Sequence, residues 1–163
     1  ILLNKLGSKA VKDLEVYHEK DETFNTFVYK TKSKKYIVIG SSSTLSSEYR
    51  ILNADNPDGD FKVFQVRTKD LEYSIAHYGD SFYIISNIDK ATNFKVSKTN
   101  EQTTEKKYWK DLIPYRKEVL IEDIEIFKDY FANLIKNNNF IRLKLVAFAS
   151  LELNTALLHP SPK

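Results

Sequence analysis

The segment Asn25–Ala54 reads NTFVYKTKSKKYIVIGSSSTLSSEYRILNA: an extended run, a lysine-rich turn, an apolar run and a further extended run. Runs rich in β-branched and aromatic residues predict strands, and the polar residues between them predict turns. Similar patterns begin at Tyr73 and Ile121, so the three segments start 48 residues apart each time. A repeat of roughly 40 to 50 residues is typical of β-propeller blades. The sequence therefore predicts an array of similar β-sheet units.

The length limits how much of such an array the chain can hold. Its 163 residues accommodate three units, which we place at residues 24–67, 72–116 and 119–147. A closed propeller needs roughly four to eight blades of four strands each. We therefore predict an all-β fold, a partial β-propeller of about three four-stranded antiparallel blades. Because the chain begins at Ile1, we expect residues 1–163 to be a single fragment of a propeller domain.

The third unit allows two interpretations. Glu122–Ile126, the turn Phe127–Asp129 and Tyr130–Ile135 repeat the strand-turn-strand pattern. Apolar residues at three- and four-residue steps also predict an amphipathic helix near residues 120–135. They are Leu120, Ile124, Phe127, Phe131 and Leu134. The β-rich context favours strands. Residues 146–163 do not continue the repeat, and we expect an atypical tail there.

Other segments are predicted from local pattern. Val11–Glu19 alternates apolar and polar residues and is expected to be a half-buried strand that ends a preceding unit. Ser41–Ser47 is predicted to be a small polar loop, and Phe61–Val66 an outer strand. Thr99–Lys107 is almost wholly polar, so we predict an exposed loop.

Composition excludes several classes of protein. The net charge of +3 is too small and too scattered to indicate nucleic-acid binding. The densest basic run, Lys30–Lys35, is interpreted as a solvated hairpin tip, with a phosphate-binding patch as the alternative. The absence of cysteine excludes disulfides and thiolate chemistry. No apolar stretch approaches the roughly 20 residues of a membrane helix, so we predict no membrane span and a cytoplasmic location.

Catalytic and metal-binding patterns are weak. No two glycines bracket a serine as in the Gly-x-Ser-x-Gly elbow of α/β-hydrolases. His18 and His77 occupy alternating strand positions and, like His159, are expected to be structural rather than catalytic. The acids of Asp55–Asp60 suggest a calcium loop, but Pro57 takes a ligand position and no closing glutamate follows, so a turn is favoured. We therefore predict no catalytic, cofactor-binding or metal-binding residue.

Two further groups of residues stand out. The acids beside His18 are interpreted as a solvated strand end, with a channel lining for cationic substrate as the alternative: Glu15, Glu19, Asp21 and Glu22. The many aromatic residues are expected to fill the space between packed sheets, rather than to stack sugars or bases: Tyr36, Phe61, Phe64, Tyr73, Phe82, Tyr83, Phe94 and Trp109.

Several blocks, in this order, resemble the oligopeptidase B (protease II) branch of the prolyl oligopeptidase family. They are Val16–Phe24, Lys30–Ile39, Ser46–Leu52, Glu72–Asn87, Asn93–Val96, Trp109–Arg116 and Val119–Glu122. The resemblance covers roughly Leu6 to Leu145. Ordered blocks are more specific than any single motif.

The resemblance implies both a role and partners. In that family such blocks belong to an N-terminal seven-bladed propeller over a C-terminal α/β-hydrolase domain, whose Ser-Asp-His triad cleaves short peptides after Arg or Lys. It implies that this chain gates substrate for a hydrolase domain of the same parent chain, with short basic peptides as the parent's substrates. It supplies no catalytic residue, so we predict that the chain alone is inactive.

Alternatives remain open at this stage. The main one is a non-enzymatic β-propeller interaction module, and another is nucleic-acid binding through Lys30–Lys35. The open blade edges of a partial propeller also predict self-association. Asp21, Glu22 and Arg50 are equal candidates for contacts to a catalytic domain.

Overall fold

A computed structural model of the chain describes residues 1–9, 11, 13–127, 129–137 and 140–147. These residues form thirteen strands, labelled β1 to β13 in chain order. They are β1 (Leu2–Leu3), β2 (Leu14–Glu15), β3 (Asn25–Lys30), β4 (Tyr36–Ser42), β5 (Ser47–Asn53), β6 (Lys62–Val63), β7 (Tyr73–Tyr78), β8 (Ser81–Ser86), β9 (Lys95–Asn100), β10 (Lys110–Ile113), β11 (Leu120–Ile126), β12 (Tyr130–Asn137) and β13 (Phe140–Ala147). Short 3-10 helices lie at Ile88–Lys90 and Lys106–Tyr108.

Most strands belong to three antiparallel sheets, each with its strands in chain order. Sheet 1 contains β3 to β6, sheet 2 contains β7 to β10, and sheet 3 contains β11 to β13. β1 and β2 form a separate pair. Chain-order antiparallel strands are the arrangement of a propeller blade, so the predicted all-β propeller fold is confirmed. Sheet 3 has three strands in the described part of the chain, where four were predicted.

Tight turns fix the first hairpin of sheets 1 and 2. In sheet 1 the backbone N–H of Thr31 donates to the carbonyl of Tyr36 at 2.8 Å, which closes the lysine-rich turn. In sheet 2 only Gly79 and Asp80 separate β7 from β8, and Gly79 adopts a φ of 59° that glycine tolerates without steric cost.

The alternative helix for residues 120–135 is wrong, because Leu120–Ile126 pairs with Phe131–Lys136 as antiparallel strands. A β-bulge explains the helix-like spacing. Between Ile121 and Asp123 the register shifts, so that an extra residue of β11 is inserted opposite β12. Ile121 and Ile124 therefore both join the core against sheet 2, although they are three residues apart.

The three sheets stack face to face, and two hydrophobic cores fill the spaces between them. Alternate residues of β8 face opposite ways, so that sheet 2 contributes to both cores. The core between sheets 1 and 2 contains Tyr36, Val38, Tyr49, Ile51, Phe64, Leu71, Tyr73, Ile75, Phe82 and Ile84. The core between sheets 2 and 3 contains Tyr83, Ile85, Val96, Ile121, Ile124, Ile126 and Phe131. Most of the aromatic residues predicted as core are therefore confirmed.

Some local predictions need correction. The strand predicted over Val11–Glu19 is only the two residues of β2, and the outer strand predicted at Phe61–Val66 shortens to β6. The predicted exposed loop Thr99–Lys107 is wrong at its start, because β9 continues to Asn100 and Thr99 is buried. Of the atypical tail, Val146 and Ala147 lie in β13, and the rest lies outside the described residues.

Candidate functional site: polar clusters at two ends of the sheets

The first strands of the sheets, β3, β7 and β11, each lie at one edge of their sheet. The hairpin turns at residues 31–35 and 79–80 approach each other, and the first of them also approaches the end of β11. Lys35 lies 4.0 Å from Asp80, and Lys32 lies 2.6 Å from Glu125. We call this end of the sheets the hairpin side. The opposite end, where chain segments cross from one sheet to the next, we call the crossover side.

A polar group centred on a buried histidine, here named the His77 cluster, joins sheets 1 and 2 at the hairpin side. Its members are Ser33, Lys35, Tyr36, His77 and Glu101. The His77 ring lies between Ser33 Oγ, 2.8 Å from its Nδ1, and Glu101 Oε2, 3.3 Å from its Nε2. Lys35 Nζ donates to Glu101 at 2.7 Å, and Tyr36 Oη donates to the same carboxylate at 3.0 Å. One glutamate of sheet 2 therefore binds three side chains.

Burial and charge set the protonation of this cluster. Burial lowers the pKa of His77 below its usual value, although Glu101 partly offsets this effect. The hydrogen bond from Lys35 lowers the pKa of Glu101, and burial raises the pKa of Tyr36 to about 12. The His77 side chain is fully covered, so its imidazole is a neutral structural link. His77 lies on β7, as its alternating pattern predicted.

An exposed contact lies beside this cluster. Lys32 Nζ is 2.6 Å from Glu125 Oε1 and 3.9 Å from the centre of the Phe127 ring. Lys32 belongs to sheet 1, whereas Glu125 and Phe127 lie on β11 and the turn after it. The contact therefore links sheets 1 and 3 and bypasses sheet 2. The basic run Lys30–Lys35 is thus only partly a solvated tip, because Lys32 and Lys35 both bind carboxylates of other sheets.

The crossover side carries a second polar group, here named the Arg67 cluster: Tyr17, Glu19, Ser41, Glu48, Arg50 and Arg67. Arg67 Nη2 donates to Glu19 at 2.5 Å, and Tyr17 Oη donates to the same carboxylate at 2.6 Å. Burial alone would raise the pKa of Glu19, but these bonds and one from Ser41 outweigh it and hold the pKa well below its usual range.

The two arginines also lie against aromatic rings. The Arg67 guanidinium is 3.7 Å from the centre of Phe24, and that of Arg50 is 4.2 Å from the centre of Tyr17. Arg50 Nη1 lies 2.6 Å from Glu48 Oε1 as an ion pair, but without the angles of a hydrogen bond. The segment before β3 is therefore fastened to sheet 1 by charge and by ring contacts.

Other residues singled out in the sequence do not converge on one site. His18 is exposed and lies 3.4 Å from Glu15, and Asp21 binds the Thr23 hydroxyl at 2.6 Å. The Asp55–Asp60 segment forms a turn in which Gly59 N–H donates to the Asn56 carbonyl. His159 lies outside the described residues.

The described residues contain neither a candidate metal site nor a candidate membrane helix. Among residues 1–147, apart from the gaps given above, no three acidic or histidine side chains cluster as metal ligands. In the same residues no helix combines the length and apolar character needed to cross a membrane.

Sequence reasoning missed three residues that organise the clusters: Glu48, Arg67 and Glu101. Glu48 and Arg50 are two residues apart on β5, and this spacing in the sequence already indicates that both lie on one face of the strand. Arg67 and Glu101 act over long distances in sequence, through Glu19 and Lys35, and no local pattern indicates those pairs. Glu19 was grouped with solvated acids but is half-buried.

Comparison with known proteins agrees with this architecture. A family model described as "Prolyl oligopeptidase, N-terminal beta-propeller domain" matches residues 1–157. Dipeptidyl aminopeptidase BI of Pseudoxanthomonas mexicana is 36% identical over 141 residues, which are 86% of this chain and 19% of that protein. Protease 2 of Moraxella lacunata is 30% identical over 128 residues, which are 72% of this chain and 18% of that protein.

Solved structures share the fold. Oligopeptidase B from Trypanosoma brucei, in a closed form with covalently bound antipain, matches with a TM-score of 0.83 and 23% identity over 90% of this chain and 21% of that chain. Oligopeptidase B from Leishmania major matches with a TM-score of 0.80 and 20% identity over 86% of this chain and 20% of that chain. The chain thus spans about one fifth of the length of these relatives. It belongs to the prolyl oligopeptidase family, as part of the N-terminal β-propeller domain.

Proposed function

We propose that this chain is the substrate-gating part of a serine oligopeptidase that cleaves short peptides after Arg or Lys. The observation that carries the proposal is the stack of three family-type sheets whose first strands, β3, β7 and β11, lie at corresponding edges. Such edges line a central passage when blades form a ring. A passage lined by fixed strands admits an extended peptide and excludes a folded protein.

The proposal assigns the chemistry to another part of the parent protein. The glycine pattern of a serine nucleophile elbow does not occur in the 163 residues. His77, the fully covered histidine, cannot reach a substrate. The C-terminal hydrolase domain of the same parent chain is therefore the proposed partner, and this chain alone is expected to be inactive.

A length series tests the gating role. The protein encoded by the whole gene would be assayed on arginine-containing peptides of increasing length, and on a folded protein with the same sequence in an exposed loop. Gating predicts that cleavage falls with size and that the folded protein resists. Cleavage of the folded protein at the rate of the short peptide would contradict gating. The absence of any cleavage would favour the interaction-module alternative.

Self-association is proposed for the isolated chain, on a separate observation. Ile141, Leu143 and Leu145 of β13 are 62–65% exposed, and among the described strands β13 lies at the edge of sheet 3. An apolar edge strand invites pairing with a second copy. Sedimentation at increasing concentration should show oligomers that Leu143→Lys reduces. A monomer at all concentrations would contradict this proposal.

A further inference from the structure

The contact between Lys32 and sheet 3 has the chemistry of a binding site that is already filled. Glu125 provides a carboxylate 2.6 Å from the ammonium, and Phe127 provides a ring face 3.9 Å from it. A carboxylate and an aromatic face together recognise a cationic side chain. The occupant here is a lysine of the chain's own sheet 1.

The contact is built to be exchanged. The side chains of Lys32 and Glu125 are 53% and 55% exposed, in contrast to the fully covered His77 side chain nearby. An exposed ion pair contributes little to stability because water and salt screen it. A soluble cation therefore has only a weak contact to displace, even though Lys32 is tethered beside the site, whereas the covered His77 ring is out of its reach.

The position of the contact matters as well. Glu125 lies near the end of β11, one of the strands at the inner edge, and Phe127 follows in the hairpin turn. Lys32 reaches them from the turn of sheet 1 and so spans the hairpin side between non-adjacent sheets. In the proposed gate, therefore, the contact lies at one end of the passage that β3, β7 and β11 would line.

We propose that Glu125 and Phe127 form a subsite for the basic side chain of a peptide, and that Lys32 fills this subsite until a peptide displaces it. The inference rests on the proposed function, since it names a place where that substrate class is recognised. It makes Lys32 a built-in competitor, and it makes Glu125 and Phe127 specificity-determining residues of the gate.

Binding to the 163-residue chain tests the inference without any hydrolysis. The probe is N-acetyl-arginine amide, followed by NMR shifts of the chain, with the isosteric but neutral N-acetyl-citrulline amide as control. Removing the competitor with Lys32→Gln should tighten arginine binding about fivefold. Glu125→Gln should abolish the shifts, and citrulline should produce none in any variant.

Matched variants separate the contact from general charge. Lys34→Gln removes the same charge from the same turn, and Lys34 makes no ion pair in the described structure. Glu122→Gln likewise removes from β11 the same charge as Glu125→Gln. Both controls should change arginine affinity by less than about twofold at physiological salt. Equal effects of Lys32→Gln and Lys34→Gln, or equal binding of citrulline, would overturn the proposal.

The outcome is distinguishable from failure of the proposed function. If the chain ignores the arginine probe while the whole gene product cleaves short basic peptides, the subsite is wrong and gating stands. If the probe binds as expected while the whole gene product cleaves nothing, the subsite stands and the peptidase assignment is wrong.

Discussion

The two cores between the sheets perform the same task with different side chains. Half of the buried residues in the core between sheets 1 and 2 are aromatic; the ring centres of Phe64 and Phe82, for example, lie 4.9 Å apart. The core between sheets 2 and 3 is mainly aliphatic, with Ile85, Ile121 and Ile124 among its members. Both cores exclude water from the space between two sheets, so the hydrophobic effect alone does not require aromatic rings in the first core.

One feature of the aromatic core is that its tyrosine hydroxyls form hydrogen bonds across the interface between sheets 1 and 2. Tyr29 Oη of sheet 1 donates to the Ile75 carbonyl of sheet 2 at 3.1 Å, and Tyr73 Oη accepts from the Tyr49 N–H at 3.1 Å. Directional bonds of this kind fix how two sheets slide and rotate against one another. Branched aliphatic side chains carry no such direction. We infer that the first interface is specified in position, whereas the second tolerates changes that conserve volume.

The largest expected effect is the loss of a ring from the aromatic core. Phe82→Ala removes a fully buried side chain and should lower the free energy of unfolding by about 3–5 kcal/mol. Urea unfolding of the 163-residue chain measures it. Phe127→Ala, at an exposed ring, is the matched control and should cost less than about 1 kcal/mol. Equal losses would show that Phe82 does not pack as described.

A smaller loss should follow from the removal of one oxygen. Tyr73→Phe leaves the Tyr49 N–H and the Gln65 carbonyl without their partner, at a cost of about 1–3 kcal/mol. Tyr108→Phe, at an exposed tyrosine, is the control and should be neutral within about 0.5 kcal/mol. If Tyr73→Phe proves neutral, the tyrosine hydrogen bonds do not fix the position of the first interface.

The aliphatic core should respond mildly to a conservative change. Ile121→Val deletes one buried methylene and should cost about 0.5–1.5 kcal/mol, as read from urea unfolding. The fold should persist with unchanged amide spectra in sheet 1, because that sheet lies on the far side of sheet 2. A cost as large as that of Phe82→Ala would remove the contrast between the cores.

The smallest effect is a pH dependence of the first interface. The pKa of His77 is lowered in the folded chain by burial, while Glu101 and Asp80 raise it and Lys35 lowers it further. The unfolded chain therefore takes up the proton first, and stability falls as the pH drops below about 6.5 towards the folded pKa. Glu101 remains ionised in that window, because its own pKa is lowered by Lys35.

Unfolding midpoints at pH 7.5 and pH 5.5 measure this dependence. The unaltered chain should lose more stability between the two values than His77→Gln, in which only the other groups titrate. Subtracting the change seen in the variant isolates the contribution of His77. A loss that is identical in both proteins would mean that His77 is not held neutral by its surroundings.

The sequence predicted the hairpins and the core better than the polar contacts. Tyr36 and Val38 alternate on β4, and alternation is a local signal that survives folding. The resemblance to the oligopeptidase B branch, read from ordered blocks, is confirmed by the family match and by the shared fold. The strands favoured for residues 120–135 are confirmed, although the bulge after Ile121 changes the phase of the alternation along β11.

Contacts between sheets could not be predicted for a physical reason. Lys32 and Glu125 are 93 residues apart, and Lys35 and Glu101 are 66 apart, so each pair depends on how whole sheets stack. Lys32 and Lys35 have other lysines beside them in the sequence, and no local pattern indicates which lysine will contact a distant carboxylate. Burial, which separates the His77 cluster from the exposed Lys32 contact, is likewise a property of the stack.

The central claim is that this chain belongs to the gate and that the chemistry lies elsewhere in its parent. The most direct test compares hydrolysis of a fluorogenic arginyl peptide by the purified 163-residue chain and by the protein from the whole gene. The account predicts no turnover by the chain, and turnover by the whole protein that a serine-reactive phosphonate blocks. Phosphonate-sensitive turnover by the chain alone, or an inert whole protein, would contradict it.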